Sequence, residues 1–111
     1  MSLAVVHAKY FPADVVMYGR WYAAQRDETL AEGYVEAVNA TLELLARSPG
    51  IGTRCSFTRP SLADLRFFPV LKPFNRHVLF YRYSSTELVA FRAIHGMRDL
   101  QRRLLQPPNA H

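Results

Sequence analysis

Arg76-His77-Val78-Leu79-Phe80-Tyr81-Arg82, then Glu87-Leu88-Val89-Ala90-Phe91-Arg92-Ala93-Ile94-His95-Gly96-Met97-Arg98-Asp99-Leu100, is the part of the sequence that decides the fold. Two runs rich in Val, Leu, Phe and Tyr are separated by Ser84-Ser85-Thr86-Glu87, so the stretch reads as strand, turn, strand. His77 to Tyr81 is apolar at consecutive positions, which suits a central strand covered on both faces. After Ile94 the period changes. Met97, Leu100 and Leu104 then stand at helical spacing, and Gln106-Pro107-Pro108 ends that short helix, with fraying expected beyond it.

Working upstream, Leu65 to Val70 supplies a third strand, cut off by Pro69 and by Pro73-Phe74-Asn75. Three consecutive strands with short links predict an antiparallel meander. Ile51 to Ser61, with Gly52 and Pro60, reads as loop. Before it lies the clearest period in the chain: Leu30, Tyr34, Val38, Leu42 and Leu45 form one apolar stripe. Asp27 suits the N-cap of that helix, and Pro49-Gly50 stops it near Ser48. Another helix spans Pro12 to about Arg26, with Val15, Tyr18 and Tyr22 on one side and Trp21 alongside. The short link predicts a helical hairpin. Ala4 to Tyr10 reads as a first strand. The order is β-α-α-β-β-β-α, an α+β fold in a single domain over 1–111 with its core at about 4–105.

Half of the 111 residues are apolar, enough for one modest core. The one cysteine, Cys55, rules out an internal disulfide framework and fits a reducing compartment. No secretory leader is visible at the start of the sequence, and no apolar run approaches the roughly 18 residues of a membrane span. These features predict a cytoplasmic protein without membrane attachment. Charge is uneven. Residues 1–53 carry four basic and six acidic side chains, whereas 54–111 carry ten and three, a net of +7. Such a basic half attracts an anionic partner or simply forms a solvated face. His7, His77, His95 and His111 lack ligand spacing, the glycines form no phosphate-cradling loop and nothing marks a nucleophile, so no metal or cofactor is expected.

With those residues in view, the 76–100 stretch resembles the C-terminal half of ParE-type toxins in the RelE/ParE superfamily. The features are a strand ending Leu79-Phe80-Tyr81-Arg82, a strand ending Ile94-His95-Gly96, and Arg98-Asp99-Leu100 opening a helix. Asp64-Leu65-Arg66 and Leu44 to Gly52 also sit where that family places similar residues. The resemblance implies the toxin of a type II toxin–antitoxin system. It implies hetero-oligomer formation with an antitoxin whose disordered C-terminal segment folds over the toxin.

Two activities occur in the superfamily. RelE-type members are metal-independent endonucleases that cut messenger RNA on the ribosome; ParE-type members stall DNA gyrase without catalysis. Of four nuclease positions, Arg66 and Arg98 match in kind, whereas Val78 and Leu104 are apolar where an arginine and a tyrosine are needed. The chain is therefore expected to be a gyrase poison. The alternatives are a nuclease using His95, Arg98 and Arg66, or an inactive relic that only binds antitoxin. Arg66, Arg82, Arg98 and Arg102 are the candidate target surface, set against a bland role for strand arginines in guarding sheet edges. Trp21 and Tyr22 are candidates for antitoxin contact, set against packing between helices. Tyr81 is expected in the core with its hydroxyl at the rim.

Overall fold

A computed structural model describes residues 2–25 and 27–108. Strand β1 (Ala4–His7) leads into α1 (Phe11–Ala24) and α2 (Glu28–Arg47). A 3₁₀ turn (Pro49–Ile51), β2 (Thr53–Arg54) and a second 3₁₀ turn (Pro60–Leu62) follow. The chain ends in β3 (Arg66–Pro69), β4 (His77–Tyr83), β5 (Glu87–His95) and α3 (Leu100–Leu105). The strands make one sheet in the order β1-β5-β4-β3-β2. The meander β3-β4-β5 is antiparallel as expected, and β1 lies parallel to β5 at the edge.

Both faces of β4 are covered, which is why its sequence shows no polar alternation. On one face the α1–α2 hairpin packs Phe11, Tyr34, Val38, Leu42 and Leu45 against Leu79, Tyr81, Leu88 and Ala93. On the other, Leu62, Leu65 and Leu104 meet Val78, Phe80 and Ile94. The α2 stripe is the buried one, and Asp27 caps the helix by accepting from the Leu30 N–H at 3.1 Å. Tyr81 spans the end of the first core. Its hydroxyl accepts from the Gly52 N–H at 3.0 Å and donates to the Pro49 carbonyl at 2.7 Å.

Several expectations need correction. The loop predicted over Ile51–Ser61 contains β2, too short to carry a period, so the sheet has five strands instead of four. The last helix starts at Leu100 and not at Met97. Gly96 and Asp99 adopt left-handed backbone (φ 80° and 51°), which helix propagation cannot pass, and Met97 is exposed instead of buried. The first strand stops at His7 and the first helix runs from Phe11 to Ala24. Arg92, one of the strand arginines expected on the bland reading to face solvent and guard a sheet edge, is buried. The helix end at Arg26, the fraying past Pro108 and His111 lie outside the described residues. Among those described, no helix is long and apolar enough to cross a membrane.

Candidate functional site

The parallel pairing of β1 with β5 ends at Ala90, and α1 takes over that edge. Asp14 of α1 accepts from the Ala93 backbone N–H at 3.0 Å and forms a bidentate pair with Arg92 at 2.7 and 2.8 Å. The other guanidinium nitrogen donates to the carbonyls of Arg103, Leu104 and Gln106 at 2.6–3.1 Å, so one arginine ties α1, β5 and the end of α3 together. Asp14 is 0 % exposed and Arg92 3 %, and neither has a buried side-chain N or O atom without a hydrogen-bond partner. This corner is structural. It is what fixes α1 beside the end of β5.

One turn of α1 further on, the same two elements enclose a different site. His77 and His95 are registered opposite each other on β4 and β5, with ring centroids 4.8 Å apart and planes at 73°. Tyr18, Tyr22, Tyr34 and Phe74 pack around them. The Tyr22 hydroxyl is hydrogen-bonded to His77 Nε2 at 2.7 Å, and the Tyr18 hydroxyl accepts from the His95 backbone N–H at 3.1 Å. Burial, reinforced by the neighbouring His95, pushes the His77 pKa down to about 4, so its ring is neutral near pH 7. Two buried polar atoms of this cluster, Tyr34 Oη and His77 Nδ1, have no hydrogen-bond partner among the described residues. Above the pair is a groove of about 640 Å³ between Met17, Tyr18 and Trp21 of α1 and the two histidines, with Arg20 and Arg103 at its rim.

The predicted site residues are dispersed. Arg66 donates to the carbonyls of Gly50 and Gly52, and Arg82 to those of Ser61 and Ala63, so both brace loops. Arg98 is exposed, and Arg102 is exposed with a loose pair to Asp99 at 3.3 Å. Arg66 is registered with Tyr81 and His95 with His77, which leaves roughly 13 Å of strand between them. Arg66 therefore cannot join His95 in one catalytic group. Trp21 is 56 % exposed, against the packing alternative, whereas Tyr22 is half-buried. Cys55 is half-buried, and burial raises its thiol pKa, leaving it a poor nucleophile.

His77 was missed by sequence reasoning. Simple hairpin pairing from Tyr83↔Leu88 places Ile94 opposite His77; the irregularity between Phe80 and Tyr81 leaves Phe91 unpaired and brings His95 there instead. No residue signature announces such a bulge.

The helical hairpin lies on a five-stranded sheet whose first strand joins the last in parallel. A solved chain titled "Chromosomal ParDE TA system from P. aeruginosa" superposes with a TM-score of 0.68 at 12 % identity, covering 86 % of this chain and 98 % of that one. The chain itself belongs to the ParE toxin family of type II toxin–antitoxin systems, whose family model matches residues 6–100. No curated protein matches it.

Proposed function

We propose that this ParE-family toxin poisons DNA gyrase by binding, makes no covalent change of its own, and works in the cytoplasm. A cognate antitoxin neutralises it by folding an apolar and acidic segment over its surface, with Trp21 and Tyr22 among the contacts. Family membership over residues 6–100 supports the toxin assignment. What carries the non-catalytic reading is the burial of Val78 (5 % exposed) and Leu104 (1 %) in the second core. A nuclease of this superfamily needs an arginine and a tyrosine at those positions, and here both are packing residues. Arg98 and Arg102, exposed at the α3 end, are the proposed target contacts, with Arg66 and Arg82 adding positive charge elsewhere on the sheet.

A supercoiling and cleavage-complex assay with purified toxin tests this, alongside a translation extract probed for cut transcripts. Gyrase stalled on cleaved DNA with intact transcripts is the expected result. Cut transcripts with untouched gyrase would overturn it and favour the second reading, for which the His77–His95 pair is the supporting observation: two imidazoles in contact can divide acid and base roles. Inactivity in both arms from a folded protein would leave the relic.

A further inference from the structure

We propose that the groove between α1 and the His77/His95 end of the sheet takes one nucleotide of a single-stranded nucleic acid. The base lies against Trp21, and the adjoining phosphates meet Arg20 and Arg103. This goes beyond the gyrase reading and does not depend on it; the antitoxin segment proposed over Trp21 would cover the same groove and so compete with the nucleotide.

Three observations converge. The groove, at about 640 Å³, falls within the size range of small-ligand sites and has room for a base with its sugar. Its walls are rings. Trp21 is largely exposed yet steadied by Tyr22, which meets it edge-on at 5.1 Å and 78°, and Tyr18, His77 and His95 form the floor. An exposed, oriented indole is the platform on which unpaired bases stack irrespective of sequence. Finally, its charge has one sign. Among the described residues no carboxylate lines the groove, and the nearby Asp14 is consumed by Arg92. Arg20 makes no hydrogen bond or ion pair among the described residues. Arg103 is held in place by the carbonyls of His95 and Arg98 at 2.8 and 3.1 Å and has no carboxylate partner among the described residues. Next to Arg103 lie Arg98, whose carbonyl it binds, and Arg102, which lines the adjoining cleft and pairs loosely with Asp99.

An acidic peptide answers the charge but not the floor. An aliphatic anchor would lie against imidazoles and a tyrosine, whereas a flat heterocycle with polar edges matches them in shape and in hydrogen-bonding capacity.

The full-length toxin is titrated into a labelled oligothymidylate of about a dozen nucleotides, followed by anisotropy. Quenching of Trp21, the only tryptophan, is recorded in parallel. Binding with quenching is expected. Affinity should fall about sevenfold between 50 and 200 mM salt if two phosphates are neutralised. Trp21→Ala weakens binding about tenfold or more, and Trp21→Phe restores most of it. Arg20→Ser lowers the salt slope by about 0.7. Both side chains are exposed, so loss of fold does not confuse the result. Absence of binding, or binding indifferent to Trp21→Ala, overturns the proposal. It is equally overturned if a glutamate-rich peptide of the same charge binds as tightly with the same dependence on Trp21, which would make the groove an acidic-peptide site.

Discussion

Helix α1 and strand β5 meet twice, and the two meetings differ in what they do with polar groups. At Asp14 and Arg92 a carboxylate and a guanidinium are removed from water, bonded to each other twice and to four backbone groups besides. At His77 and His95 the rings also touch, but Nδ1 of the buried histidine stays unpartnered and the other ring opens on a groove. Removing charge from water is tolerated only where every bond is made, as at the first site. At the second site the unpartnered Nδ1 contributes no bond, and an aromatic cage that is part of the core holds a neutral imidazole beneath exposed cations. The first cluster is satisfied throughout, whereas the second leaves two buried polar atoms without a partner among the described residues beside an open groove.

The largest expected effect breaks the first site. Arg92→Leu leaves Asp14 buried and unpaired and releases the carbonyls at the end of α3, costing about 3–5 kcal/mol. Asp14→Ala costs a similar amount. Chemical denaturation of single and double variants checks this: the double variant should be less damaged than the sum, because no lone charge remains. Additive losses would mean that the pair is not the joint described above.

Next in size is a pH effect at the second site. The His77 pKa lies near 4 in the fold against 6.5 in the unfolded chain. Between these values the unfolded state binds more protons. Stability is therefore full above about pH 6.5 and falls as pH drops toward 4, by about 3 kcal/mol. Denaturation midpoints at neutral and acid pH measure the slope. His77→Gln, which retains a hydrogen-bonding group for Tyr22, should flatten this part of it.

That contrast separates what the sequence discloses from what it conceals. Periodicity gave the α2 stripe, the three meander strands and the short α3, because burial imposes spacing on apolar side chains. It gave no sign of β2, which is too short to have a period. Long-range pairing was hidden throughout. Arg92 is one of several strand arginines until Asp14, 78 residues away, is seen beside it. His77 lacked metal-ligand spacing in the sequence, and its pairing with His95 stayed hidden because the bulge that brings them together has no residue code. The Arg66 to Arg102 candidates came from charge, and charge does not tell loop-bracing arginines from free ones. Trp21 was noticed as a residue, but its exposure is a property of the packed hairpin.

Tyr81 gives an intermediate test on the same core face. Tyr81→Phe orphans the Gly52 N–H and the Pro49 carbonyl, costing about 1–3 kcal/mol by denaturation. Gly52→Ala should cost at least as much, because its Cβ would overlap the Tyr81 ring and hydroxyl. A neutral Tyr81→Phe would show that this end of the fold does not rely on complete hydrogen bonding, and would weaken the contrast with the histidine site.

The smallest expected effect on stability is the most informative about function. His95 is exposed, so His95→Ala should change stability at neutral pH by no more than about 0.5 kcal/mol. The neighbouring His95 is the second cause of the low His77 pKa, so its removal moves that pKa upward, toward the unfolded value. The acid loss of stability then becomes smaller than in the native sequence, and the variant gains on it as pH falls. Following the His77 ring by NMR across the acid range measures the shift directly. An unmoved His77 titration would mean that the two imidazoles merely share space. A shifted titration in a protein of unchanged neutral stability would show two coupled rings that the fold does not need, which is what distinguishes this end of β5 from the Arg92 corner.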